Sequence, residues 1–331
     1  MIVFSVVLIC FPAFEVSAQD RTVVVPDDFL SIQEAILSAS NGDTVFVRSG
    51  SYYGNLIINK SISLIGENKD STFIVGNETG TTILIQEDYV KVVNFTIKSP
   101  QIPLIWNRKR GIHLLQVGFC EISENIILRN DYGIGIWLFK SSNNIVAGNM
   151  LEQAAEGIYI VSSINNTFMG NIIQEIGFGI RLHEASNNIF IANNISGNNF
   201  EIYFGSDGEY LSHVTNNTFH HNNILNNGVP VGTLGAIVGL NNWDNGKEGN
   251  YWTGYQGNDD NDDGIGDTSY LVYENYYNGN HTDNYPLVNP VDVEVIPENN
   301  LTLFGFLVLG IILLTIKLAY VKMKKADIYN I

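Results

Sequence analysis

The sequence predicts an all-β fold, a right-handed parallel β-helix with one short helix over its first coil, and three observations carry that expectation. A tetrapeptide of one pattern recurs: Gly135-Ile136-Trp137-Leu138, Gly157-Ile158-Tyr159-Ile160, Gly179-Ile180-Arg181-Leu182 and Glu201-Ile202-Tyr203-Phe204 follow one another by 22 residues, and Gly111-Ile112-His113-Leu114 precedes them by 24. Each repeat then carries an Asn pair and a later Asn: Asn143, Asn144 and Asn149; Asn165, Asn166 and Asn171; Asn187, Asn188 and Asn193; and, after a spacing of 29, Asn216, Asn217 and Asn222. Between these markers stand short β-branched runs with Gly and Asn at the turns and no helical period. A period near 22 is the size of one three-strand coil of a solenoid. A leucine-rich repeat has a similar length, but its L-x-x-L-x-L-x-x-N consensus is missing.

Each element has its own justification. Met1 to Ala18 is an apolar run with a small-residue exit at Val16-Ser17-Ala18, which reads as a signal peptide cleaved before Gln19. Residues 19–240 form the solenoid. Thr22 to Val25 starts it as a strand, Leu30 to Ala39 has the apolar spacing of an amphipathic helix that caps the open end, and Asp43 to Val47 resumes the strands. Stacking coils about 4.8 Å apart turns Ile136, Ile158, Ile180 and Ile202 into an inward aliphatic ladder. The Asn columns read as turn spines, each Asn taking left-handed geometry and bonding the amide in the next coil. The long fourth interval requires a bulge around Gly205 to His213. Residues 241–288, rich in Asp and aromatics, close the far end, and 289–300 is a stalk. Leu301 to Val321 carries one charge, Lys317, and at ~1.5 Å per residue spans the ~30 Å of a bilayer core as a helix. Lys322, Lys324 and Lys325 in the tail 322–331 place the C-terminus in the cytoplasm and the bulk of the chain outside.

Between Gln19 and Asn300 the chain holds 13 Lys and Arg against 32 Asp and Glu. Such a surface repels nucleic acid and suits cations. Only Cys120 remains after leader cleavage, which excludes an intrachain disulfide and leaves stability to the core. Eight N-x-S/T sequons, at Asn59, Asn77, Asn94, Asn165, Asn194, Asn216, Asn280 and Asn300, fit an exported chain as candidate glycosylation sites.

Ser31-Ile32-Gln33-Glu34-Ala35-Ile36, then Gly42-Asp43-Thr44-Val45, Gly50-Ser51-Tyr52 and Leu64-Ile65-Gly66, resemble the opening of pectin-lyase-like β-helix proteins. The repeats and the ending Gly249-Asn250-Tyr251-Trp252, Asp263-Gly264-Ile265-Gly266-Asp267 and Asp283-Asn284-Tyr285-Pro286-Leu287 resemble the NosD family, with its carbohydrate-binding and sugar-hydrolase (CASH) repeats, over about residues 22–288. The resemblance implies the pectin-lyase-like fold and, for function, a periplasmic accessory protein named for copper in nitrous oxide reductase maturation. The C-terminal anchor is more like that of surface relatives outside that pathway.

Four constellations could carry chemistry. The residue after each inward Ile faces out, so His113, Trp137, Tyr159, Arg181 and Tyr203 stack on one face, either as a platform for successive rings of a glycan or as a self-stacking ladder that stiffens the sheet. Asp259-Asp260-Asn261-Asp262-Asp263-Gly264-Ile265-Gly266-Asp267 matches the start of a calcium loop, with Asp259, Asn261 and Asp263, the Ile265 carbonyl and Asp267 as oxygens; Tyr270 stands where a closing Glu belongs, so calcium here would be structural. Copper needs imidazole or sulfur donors, and the exported part offers His113, His183, His213, His220, His221, His281, Cys120, Met150 and Met169. His220-His221 is the one local pair, and it can share an ion only if it lies in a turn. A polysaccharide lyase or hydrolase needs an acidic pair or a base beside a calcium cluster, and Arg181, His183 and Glu184 are the nearest set. The reading is a surface protein with a non-catalytic glycan-binding or scaffold role; a polysaccharide-cleaving enzyme and a copper accessory protein are its rivals.

Overall fold

A computed structural model describes residues 20–77, 80–98, 109–205, 212–225, 228–234, 236–275 and 279–293. The leader, the apolar segment 301–321 and the tail lie outside the described residues. Among the described residues no helix is long and apolar enough to cross a membrane.

The chain is an all-β right-handed parallel β-helix. One wall is a nine-stranded parallel sheet that begins with Thr22–Val25, Thr44–Val47 and Ser63–Gly66 and ends with Ile189–Ile191 and Thr218–His220. The 22-residue period sets the register directly: Ile112, Ile136, Ile158, Ile180 and Ile202 are successive partners, Ile83 extends the column below and Val231 above. The isoleucines of this ladder are fully buried. A second interior column, unmarked by the repeat, stacks Phe168 on Phe190, Phe190 on Phe219 and Phe219 on Trp243 with ring centroids 4.8, 4.4 and 4.7 Å apart.

The helix is Ile32–Ser38, shorter than its apolar spacing suggested. Ser31 caps it, its hydroxyl accepting the Glu34 N–H at 3.2 Å, so Leu30 precedes the first turn and is 84% exposed. Ile32, Ala35 and Ile36 bury against the first coil. The bulge after Gly205 includes a strand, Ser212–Val214, paired in parallel with Ala236–Val238. The expected stalk begins on the solenoid, since Val291 and Asn223 exchange two 2.7 Å hydrogen bonds.

The Asn columns divide the work that the sequence assigned to each of them. Asn143, Asn165, Asn187 and Asn216 take the left-handed turn geometry, with φ of 56° to 59°, and lie exposed. Their neighbours Asn144, Asn166, Asn188 and Asn217 are buried, and each side-chain amide donates to the Oδ1 of the next coil's Asn at 2.9 to 3.0 Å, ending at Asn241. A parallel ladder runs Asn125, Asn149, Asn171, Asn193, Asn222, Asn250. It terminates on the fully buried Asp283, whose carboxylate accepts from the Asn250 and Tyr285 backbones and from Trp252 Nε1 at 2.7, 3.1 and 2.8 Å.

Burial pushes the Asp283 carboxyl up to about 6, against the pull of those donors. Its folded-state value lies above the ordinary carboxylate value of about 3.9, so protonating Asp283 favours the fold as pH falls through about 6, and that gain is complete below about 4. Thermal unfolding should therefore show wild type gaining on Asp283→Asn between pH 7 and 4; parallel profiles would refute the assignment. Asp283→Ala, which orphans the buried Asn250 N–H and Trp252 Nε1–H, should cost ~2–5 kcal/mol in denaturant unfolding at pH 7.

Candidate functional site

The outward ladder is in register as the repeat requires: His113, Trp137, Tyr159, Arg181 and Tyr203 are successive partners. It stacks, with His113 4.3 Å from Trp137 and Trp137 6.4 Å from Tyr159. It is not the open platform that outward alternation suggested. Trp137 is half-buried and the other four are buried, Arg181 to 1% exposure.

A second outward column covers it. Arg110, Ile134, Glu156, Phe178 and Phe200 are also successive partners, each three residues before its ladder position. The Arg110 guanidinium lies 4.2 Å over Trp137, and Phe178 meets the Tyr203 ring edge-on at 4.7 Å. Arg181 is held between Tyr159 and Tyr203 at 4.8 and 5.5 Å, pairs with Glu156 at 2.8 Å and donates to the Gly205 carbonyl at 3.2 Å. The motif glycines answer a separate constraint, on the interior side of the coil, where an added Cβ would meet core residues such as Leu151 and Ile173. A Cβ on Gly135 or Gly157 would stand 2.8 or 2.5 Å from the next coil's carbonyl oxygen. Desolvation, with Arg110 nearby, pushes the His113 imidazole down to about 4, so it is neutral near pH 7. Removing the carboxylate in Glu156→Ala should cost ~3–5 kcal/mol of stability by stranding the buried Arg181 charge, and Arg181→Met in the same chain should restore much of it in a double-mutant cycle. A loss under 1 kcal/mol would show that the ladder is open to solvent.

The remaining candidates fall as follows. Arg181 is committed to Glu156, while Glu184 accepts from the Ser162 hydroxyl at 2.7 Å, so the Arg181, His183, Glu184 set is tied to different partners. In the acidic loop Gly264 makes the turn with φ +86°. Asp259 accepts the Asp263 and Gly264 N–H groups at 3.1 and 2.9 Å, Asp263 accepts from Ile265 N–H and the Asn261 amide at 2.9 and 3.0 Å, and Asp267 accepts from Asp260 N–H at 2.7 Å. Among the described residues no three His, Cys, Asp or Glu side chains gather as a metal-ligand set. Cys120 is buried, its thiol pushed up to about 11 by desolvation. Of the sequons, Asn59, Asn77, Asn165, Asn216 and Asn280 are exposed, Asn94 and Asn194 are half-buried, and Asn300 lies outside the described residues.

Two features remain, the first of which escaped the sequence reading. Tyr89 and Phe119 stack face to face in the open, centroids 5.1 Å apart and planes within 9°. Both have left-handed backbones, φ 60° and 58°, and they stand in the same turn column as the exposed asparagines, since Gly118, Ser142, Ile164, Ser186 and Thr215, the residues just before Phe119, Asn143, Asn165, Asn187 and Asn216, are bridged in succession. The signal lay in Gly118-Phe119 aligning with Ser142-Asn143, which the irregular first coils conceal. The other is the His220–His221 pair. His221 has φ +56°, and the two Nδ1 atoms lie 2.8 Å apart, so the turn that a shared ion requires is present. Burial, with the His221 ring beside it, pushes His220 down to about 4.

Among solved structures, the pectin methylesterase from Yersinia enterocolitica aligns at 17% identity over 60% of this chain and 81% of its own, TM-score 0.43. A periplasmic alginate epimerase aligns at 15% over 67% and 54%, TM-score 0.42. A tailspike protein from an Acinetobacter baumannii bacteriophage, a capsular polysaccharide depolymerase, aligns at 11% over 69% and 46%, TM-score 0.44. The chain thus spans about half the length of the epimerase and of the tailspike protein. No curated protein matches it. The family described as periplasmic copper-binding protein (NosD) matches residues 36–257, and the chain belongs to that family.

Proposed function

We propose that the chain is a cell-surface β-helix, tethered by segment 301–321 with its bulk outside the cell, that binds an extended glycan along one exposed turn column. The Tyr89–Phe119 pair carries this reading. The two side chains are 62% and 54% exposed and fill no core. Both occupy left-handed backbone, which bulky residues adopt at a cost and Asn adopts readily. On the four coils that follow, the same position is Asn143, Asn165, Asn187 and Asn216. A stacked ring pair at one end of a line of exposed amides suits a sugar strand, with ring edges and an outer face for its apolar C–H groups and donors and acceptors for its hydroxyls. The coil rise of about 4.8 Å is close to the repeat of an extended glycan. The candidate platform therefore moves from the crowded ladder of Trp137 and Tyr203 to this column. Catalysis on the same polysaccharide is the rival reading, tested by release of reducing ends. Glycans attached at Asn165 and Asn216 would occupy the same column, and intact mass measurement separates attachment from binding.

On a glycan array, Phe119→Asn and Tyr89→Asn should each weaken the wild-type hits about fivefold, near 1 kcal/mol per lost ring contact, with melting unchanged because Asn is native to this column on other coils. Protease added to intact cells should abolish that binding. Unchanged binding in both variants, or no glycan bound by wild type, would defeat the proposal.

The acidic loop is proposed as a structural calcium site, since its carboxylates keep lone pairs beyond those bonded to backbone N–H. Chelator should lower the melting temperature of wild type and leave Asp263→Ala unmoved; a chelator-insensitive wild type would reduce the loop to a solvated turn.

A further inference from the structure

The strand Thr218–His220 ends the nine-stranded wall, and in an extended chain its last residue and the next would point to opposite faces. They do not, because His221 turns left-handed and brings its ring back beside that of His220, the planes crossing at 76°. The register Ala147, Met169, Ile191, His220 puts Gly148, Gly170, Ala192 and His221 at one turn position, all with positive φ. Two earlier coils place Asn94 and Glu124 at this position, also with positive φ, and the next three place a hydrogen or a methyl there. The coil after them places an imidazole, 27% exposed and set against its own chain neighbour His220.

Hydrogen bonding fixes how that imidazole is presented. His221 Nε2 lies 3.0 Å from Glu248 Oε2. A carboxylate oxygen accepts, so Nε2 carries the proton, and in the neutral ring Nδ1 is left with a lone pair. That lone pair faces His220 Nδ1 at 2.8 Å. A carboxylate behind one ring nitrogen with a bare nitrogen in front is how metal-ligating histidines are held.

We propose that His220 and His221 form a two-imidazole site for a copper(II) ion, with Glu248 as the orienting partner of His221. Two nitrogens 2.8 Å apart, each about 2.0 Å from a shared ion, subtend nearly a right angle at it, the cis relation of a tetragonal copper(II) centre. Among divalent first-row ions copper(II) also binds a nitrogen site tightest. On binding, the ion replaces the proton shared between the two Nδ1 atoms, and His220 carries its proton on Nε2 instead, so neither ring changes charge. With two protein ligands at a partly exposed turn, the remaining positions are open to water or to a second protein, which suits an ion held for exchange more than one built into the fold. The family's description as copper-binding says nothing of which residues bind, and the site stands apart from the glycan column and does not depend on it.

The test uses the full chain without an affinity tag. Titrated with copper(II), wild type should bind one ion with the nitrogen hyperfine pattern of two imidazoles in electron paramagnetic resonance. His221→Gly, which keeps the residue type of Gly148 and Gly170 at this turn, should weaken binding at least about tenfold and remove one nitrogen from the spectrum. Glu248→Gln should weaken it about tenfold through the ring orientation alone, with both nitrogens retained. Exposed His213→Ala should change nothing, and zinc(II) should bind more weakly than copper(II). Failure of wild type to bind copper(II) at micromolar concentration, or an unchanged affinity and spectrum in His221→Gly with circular dichroism intact, would overturn the assignment.

Discussion

The asparagine ladders are the constraint on which the rest of the structure depends. A buried amide that does not find a partner costs more than a made hydrogen bond returns, so every interior Asn obliges the next coil to supply an acceptor at the same height. Asn144 to Asn241 and Asn125 to Asn250 meet that obligation coil after coil. A slip of one residue would move the buried amide out of line with its acceptor and set the turn Asn before it or the strand residue after it, such as Ile145, Thr167, Ile189 or Thr218, in its place. The ladders therefore fix register more strictly than the isoleucine column, which tolerates any apolar neighbour. They also dictate how the solenoid ends. The chain must bring back a strong acceptor to the last Asn, and Asp283, from the returning strand Gly279–Asp283, is that acceptor.

That requirement explains why the closing segment is irregular and aromatic. Asp283 is buried at the cost of a raised carboxyl pKa, and Trp243 and Trp252 seal the space around it while Trp252 Nε1 supplies a donor. The capping helix at the other end works with less chemistry, because the first coil offers it an apolar surface and Ile32, Ala35 and Ile36 suffice.

The repeat spacing made the coil, its register and the inward ladder legible before any coordinates, since a period of 22 read against a strand period of two leaves one consistent stacking. The burial of the outward ladder was not legible. Alternation says which side of the sheet a residue faces but not how closely a neighbouring column leans over it, and here Phe178 and Arg110 reach the ladder rings. The helix start was misplaced for a related reason. Leu30 fits the apolar spacing, yet Ser31 satisfies the free Glu34 N–H as the cap, so the helix starts two residues later at Ile32. The Asn pairs were read as one function where they hold two, because the sequence shows adjacency while only backbone dihedrals separate the exposed turn residue from the buried ladder residue beside it.

The left-handed turn positions are where this fold can vary without disturbing its scaffold. A strand residue is answered by counterparts above and below, so a change there propagates through the stack. A turn residue with positive φ needs only a backbone conformation that Gly, Asn and some others can adopt, and its side chain points to solvent. Charged residues stand at several such positions, Glu124, Lys140, Glu175 and Glu184 among them, and in two places the departure from small or amide residues brings like groups together. Tyr89 and Phe119 put two rings together at the foot of one column, and His221 puts an imidazole against another in a second column. Each pays backbone strain that its own coil does not require. In a solenoid, neighbouring substitutions stand about one coil rise apart or, as with His220 and His221, one residue apart, and either spacing brings two like groups within reach of a single ligand. The proposed glycan and copper sites both rest on such pairs, at positions that the ladder hydrogen bonds leave free to change.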